Sequence, residues 1–225
     1  DTPAQKGRTG RTALTSLVEA ISLAGSQTLQ IEEGELAGNW SPVLGGSADE
    51  VYMFLYDLLP GGAGYTRLVK NNLEAVLEAA EKLLSQCDCE TSCYRCLRHY
   101  GNNFIHAALD RKLALSLLRY VVHGEQPALT LDERQRSLRP LIDLVRLKNM
   151  SSTVNSKRGS AMVPLVISRN DGSEVWVDVH HPLINADLSP STVRSAAEAE
   201  FAEFISLDSF TLNHDLPGAY RMLQL

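Results

Sequence analysis

Lysine and arginine are missing from a long early stretch of this chain. Between Thr12 and Thr66 there are seven acidic residues and no basic one. The formal net charge of the whole sequence is -6. A free-standing nucleic-acid binder is therefore not expected, because such affinity rests on cationic neutralisation of phosphates. No apolar run approaches the ~20 residues that a membrane-spanning helix needs, so no membrane partner is expected. The G-x-G-x-x-G fingerprint is absent. The glycine-dense turn Pro60-Gly-Gly-Ala-Gly64 is followed by Tyr65 and Thr66 rather than the lysine and hydroxyl residue of a phosphate loop. The chain alone is thus no ATPase. No secretory pattern precedes the cysteines, which fits a reducing, cytoplasmic setting. The polar opening from Asp1 to Arg11 is expected to be a linker, cut from a longer polypeptide.

Cysteine is absent from all but one window. Cys87, Cys89, Cys93 and Cys96 all lie within residues 87–96, at the spacing C-x-C-x3-C-x2-C. Four thiolates so close in sequence can surround one tetrahedral zinc ion, with Zn–S bonds of about 2.3 Å. Two disulfides and an iron–sulfur cluster are the competing occupants. The spacing matches neither common ferredoxin pattern, and clustered cysteines in a reducing compartment bind metal more often than they pair. Zinc is the expected cofactor. His99 follows closely and could replace one cysteine as a ligand, but it is expected beside the metal shell or at the surface, since four cysteines already complete it.

The remaining pattern is that of an α+β protein: a small sheet packed by long helices, with the cysteine knuckle between two of them. Leu14, Leu17, Val18, Ile21 and Ala24 predict a helix over 12–24, stopped by Gly25. A strand is predicted at 28–33, then a Gly/Pro/Ser-rich loop through Ser47, then a buried strand at Val51–Asp57. The glycine turn reads as a tight strand-to-helix connection, with an anion site at the helix N-terminus as the alternative. A helix over 66–86 enters Cys87, and a second runs from about Ile105 to Val122. Thr91–Arg158 holds twelve basic residues against five acidic ones, which reads either as solvated helix faces or as a nucleic-acid surface.

A smaller α+β extension is expected over residues 125–225. Residues 131–148 predict a basic helix interrupted or kinked at Pro140, and 151–160 a polar loop. The best hairpin signal joins Met162–Ser168 to Glu174–His180 through Asn170-Asp171-Gly172. Ser189-Pro190 reads as the N-cap and first residue of a helix reaching Ile205, followed by a final strand or loop. His180 and His181 stand beside Asp178, but neighbours on a strand point to opposite faces and cannot easily share an ion.

Residues 12–124 resemble the C-terminal zinc-binding domain of MrfA-type DEAD/DEAH-box helicases. The resemblance is carried by Phe54-Leu-Tyr-Asp57, the Pro60–Gly64 turn, the helix entering the four cysteines, Asn102-Asn103 and Leu109-Asp-Arg-Lys112. It implies that Cys87, Cys89, Cys93 and Cys96 ligate zinc. It also implies a place among DNA-repair helicases and the large helicase-like proteins of anti-phage systems such as DISARM and Druantia. Gln5–Arg11 is similar to the arginine-rich ATP-sensing motif of helicases but lacks one residue of it. Neither ATPase domain of such motors is present. The expected role is a non-catalytic accessory module that meets DNA through Arg95, Arg98, Arg111 and Arg119. Its partners would be upstream helicase domains or a helicase subunit. A docking module that binds another subunit without touching nucleic acid is the rival, and a nuclease hidden in the C-terminal hundred residues the third reading.

Overall fold

The computed structural model describes residues 3–45, 50–169, 171–187 and 189–224. It divides into two units: residues 10–126, and residues 127–225 together with the first residues through Thr9.

Helix α1 (Pro3–Leu29), whose residues from Gly10 on belong to the first unit, buries Ala13, Leu17, Ala20 and Ala24 there, in one stripe. The stretch 3–11, expected as a linker, is helical. Proline suits the first helical position, and Gly7 and Gly10 weaken a helix by only about 1 kcal/mol each relative to alanine. Gly25 does not stop α1 either. It lets a neighbour approach, since a Cβ there would lie 3.0 Å from Leu36 Cδ2. The chain turns instead at Gln30, whose φ is +54°, so the strand predicted at 28–33 is the helix end and a turn.

Strands β1 (Leu36–Pro42) and β2 (Val51–Asp57) pair antiparallel, from Leu36 opposite Asp57 to Pro42 opposite Val51. The apolar run in β2 is not buried throughout. Leu55 faces the core, while Tyr52, Phe54 and Tyr56 on the other face are exposed, because this two-stranded sheet is covered on one side only. The helix predicted over 66–86 is two, α2 (Tyr65–Asn71) and α3 (Leu73–Ser85), broken where the Asn72 side-chain Nδ2 donates back to the Leu68 carbonyl at 2.9 Å. After the cysteines come a 3-10 segment (Tyr100–Ala108) and α4 (Arg111–His123). Asp110 is extended, and its carboxylate accepts from the Lys112 and Leu113 amides, so the second long helix starts later than predicted. Val76, Ala80 and Leu84 of α3 share one core with Ala114 and Leu118 of α4 and with α1.

In the second unit, α5 (Leu131–Leu147) opens with a capping box between Thr130 and Glu133 and carries Pro140 without ending there. Strands β3 (Ser151–Arg158), β4 (Ala161–Ser168) and β5 (Glu174–His180) form an antiparallel meander. Helix α6 (Thr192–Glu200) then crosses over to β6 (Glu203–Asp208), parallel to β5, and α7 (Ser209–His214) and α8 (Leu216–Met222) follow. The sheet order is β3-β4-β5-β6. Leu165, Val175 and Val177 join α5, α7 and α8 in one core, and Val166 and Trp176 join α6 in another, so both faces are covered. The predicted β4–β5 hairpin forms, with Gly172 at φ +85°; Asn170, like the loop residues Gly46 and Ser47, lies outside the described residues. The predicted loop 151–160 is largely edge strand β3. The helix predicted from Ser189 starts at Thr192 with Ser191 as its cap, and it ends at Glu200 with Phe201 as the C-cap, leaving Phe204 on a strand.

Candidate metal centre

Helix α3 delivers the chain into Cys87, and the return to α4 runs over Cys96 and the fully buried Leu97. Between them the chain folds back so that the four sulfurs converge. Sγ–Sγ separations are 3.5 Å for Cys87–Cys89 and Cys87–Cys93, 3.7 Å for Cys89–Cys96 and 3.9 Å for Cys93–Cys96. All pairs lie within 4.8 Å. A tetrahedron of Zn–S bonds near 2.3 Å has edges of about 3.8 Å, so this is the spacing the ion requires. None of the four is joined in a disulfide.

The backbone supports the sulfurs. The Cys93 carbonyl accepts the amides of Cys96, Leu97 and Arg98, a tight turn over the C-x2-C pair. The Arg95 amide donates to Cys93 Sγ at 3.4 Å, and the Cys93 amide to Cys96 Sγ at 3.2 Å. Burial and the neighbouring thiols push the Cys89 thiol up to about 12. Burial works the same way on Cys93, but the Arg95 amide and the surrounding thiols outweigh it and bring its pKa down to about 6. Four sulfurs this close cannot all ionise without a cation among them, and ligand thiols give up their protons to the metal they bind.

Arg111, which the sequence suggests for a DNA-facing surface, lies elsewhere in the structure. It is buried at 9 % exposure, with Nε donating to the Cys89 carbonyl at 2.7 Å and Nη1 to the Leu84 carbonyl at 3.1 Å. Its amide donates to the Thr91 carbonyl at 2.7 Å. One side chain thereby satisfies a terminal carbonyl of α3 and fixes the cysteine loop to the start of α4. Arg119 Nε is paired with Glu81 at 2.7 Å, which His123 also contacts. Together they hold the Glu81 carboxyl below its ordinary pKa. Arg95 pairs with Asp88 in the open, and Arg98 Nε donates to Ser92 Oγ at 2.9 Å.

His99 does not reach the sulfurs. Its ring lies 3.3 Å from Glu19 and 3.2 Å from Glu33. Buried Asn102 bridges Glu19 and the Leu97 carbonyl and accepts the His99 amide. This network anchors the chain leaving Cys96 to α1, and its one sequence signal was the Asn102-Asn103 pair.

The glycine turn is occupied from within. Asp57 Oδ2 accepts the amides of Ala63, Gly64 and Tyr65 at 2.9, 2.6 and 3.1 Å, and Oδ1 accepts the Thr66 amide at 3.0 Å. Partial desolvation opposes ionisation there, but the four donors win and lower the Asp57 pKa. The amides available to an anion at the start of α2 are spoken for by the protein's own carboxylate.

This geometry coincides with a known pattern: the family model of the MrfA Zn-binding domain matches over residues 17–97. The matched range includes α1 from Leu17, the β1–β2 sheet, the Asp57 turn and all four cysteines, and the cluster is its zinc site. Arg111 and α4 lie just beyond the matched range. Over 222 residues the chain is 31% identical to the Druantia protein DruE of Escherichia coli (strain UMEA 4076-1), covering 94% of this chain and 12% of that protein. No solved structure matches the chain. Among the described residues, no helix is long and apolar enough to cross a membrane.

Proposed function

We propose that the chain is a non-catalytic zinc-binding module of a longer DEAD/DEAH-box-type helicase polypeptide, acting on DNA in bacterial anti-phage defence. DNA repair is the other setting in which such modules serve. The observation that carries the reading is the converged four-sulfur knuckle between α3 and α4, in a chain similar along nearly all its length to the Druantia protein DruE. Among the described residues no second group of metal-ligating side chains accompanies it, and the glycine turn holds a carboxylate rather than a phosphate. In this reading the motor is supplied by flanking polypeptide or a partner subunit, in the cytoplasm. The zinc fixes the α3–α4 hairpin so that Arg95, 73 % exposed at its side chain, and Arg98 are presented to DNA.

Replacing Arg95 and Arg98 with alanine in the assembled protein should weaken duplex binding and reduce its log–log salt slope by roughly 2. Unchanged affinity and salt slope would refute the DNA role. One observation favours docking instead: the exposed Tyr52, Phe54 and Tyr56 face lies in the stretch without basic residues. If that face is the working surface, substituting Tyr52 and Phe54 with serine should release a partner subunit and leave DNA binding unchanged.

A further inference from the structure

The second unit carries a cationic groove outside the matched family segment. It lies between α5 and β3, has a volume of about 460 Å³, and is lined by Gln135, Arg139, Asp143 and Arg146 from one side of α5. Arg139 and Arg146 are seven residues apart, two helical turns, which puts their Cα atoms about 10.5 Å apart on one face. Both are exposed, and neither guanidinium makes an ion pair or hydrogen bond with a described residue. That sets them apart on α5, where Arg134 pairs with Asp178 and Arg136 with Asp132. Val154 and Pro164 supply the accessible apolar part of the lining, with buried Leu138 and Ile142 forming its floor, and Asn155, with φ +50°, supplies a polar group from β3.

We infer that this groove binds single-stranded nucleic acid, Arg139 and Arg146 each holding a phosphate while a base or sugar lies against the apolar lining. Guanidinium is the side chain best matched to phosphate oxygens, and two of them two turns apart suit successive phosphates of a strand better than one free anion. Asp143, between them on the helix, disfavours a third phosphate and can accept from a base amino or imino group. An apolar lining gives base faces a partner that a duplex, with its bases stacked inside, does not use. The choice of DNA as the strand rests on the proposed function; the groove itself does not.

The test uses the whole chain, zinc-loaded, with fluorescein-labelled oligo-dT and a duplex of equal length, titrated between 50 and 200 mM salt. Arg139→Ala with Arg146→Ala should weaken oligo-dT binding by roughly tenfold or more and lower the salt slope by roughly 1.4. Lysine at both positions should restore the slope but only part of the affinity. Zinc content and melting temperature should be unchanged, since both side chains are exposed. Unaltered binding by the double-alanine variant overturns the inference, as does absence of oligo-dT binding or an equal loss on duplex. Arg95→Ala with Arg98→Ala runs in parallel. If that pair alone weakens binding, this groove is discarded and the proposed function stands; if the α5 pair alone does, the reverse holds for the two knuckle arginines.

Discussion

A buried guanidinium that donates through Nε and Nη1 to two separate carbonyls cannot be imitated by an ammonium. Arg111→Ala would leave the Leu84 and Cys89 carbonyls without donors at the point where α3 gives way to the zinc loop. A loss of about 3 kcal/mol is expected in urea unfolding, with lysine recovering less than half of it. Release of zinc to a chromophoric chelator should quicken in the same variants, whereas Arg119→Ala, which breaks a half-exposed pair with Glu81, should leave it unchanged. His181 offers a second prediction at this scale. It is buried, and that burial, with a smaller push from His180 against the pull of Glu133, brings its pKa down to about 4. Its Nδ1 accepts the Leu183 amide, a role that only the neutral ring can fill. The unfolded chain takes up this proton near pH 6.5 and the folded chain not until about 4. Stability is therefore intact above 6.5 and is lost as pH falls through that window, by about 3 kcal/mol in all. Denaturant titrations at pH 7, 5.5 and 4 on the parent and on His181→Gln should show the dependence in the parent and a flatter profile in the variant.

At the scale of elements, β1 passes close to α1 at Gly38. A Cβ at Gly38 would meet Val18 Cγ1 at 2.5 Å and Leu55 Cδ2 at 2.8 Å. Gly38→Ala should cost about 1–3 kcal/mol by overpacking, read as a lower melting temperature, while Gly34→Ser, in open space but at φ +91°, should cost through backbone strain alone. What could be read in advance follows from whether the signal is local. The cysteine knuckle was legible because four ligands at short spacing need no tertiary knowledge. The β4–β5 hairpin was legible because a β-branched alternation and an Asp-Gly turn lie side by side. Strand β3 was not: Ser151–Arg158 is an exposed edge whose polar side chains carry no alternation, and only pairing with β4 makes it a strand. Helix α6 was overextended because Phe204 fits an apolar helical period, yet it fits the sheet equally well. The burial of Arg111 is not legible, because a sequence shows that a residue is basic, not that its charge is enclosed by carbonyls.

Across the whole molecule, two separate sets of core residues imply two separable stabilities. The first set includes Cys87 and Cys96 themselves, so the ion contributes directly to that unit. The second draws on α5 to α8 and the four-stranded sheet and contains none of the four cysteines. Chelation should therefore lower or abolish one calorimetric transition and leave a second near its original temperature. A single transition that moves as a whole would show the units to be thermodynamically fused. Restoring zinc, but not magnesium, should bring the lost transition back.

The carboxylate of Asp57 has a further bearing on nucleotide recognition at this turn. A tethered anion seated on four amides competes at high local concentration against any nucleotide from outside, and being part of the chain it never dissociates. A nucleotide-dependent signal would then have to arrive through movement of neighbouring polypeptide rather than by occupancy of this loop, and a ligand screen with ATP should return nothing here until Asp57 is removed.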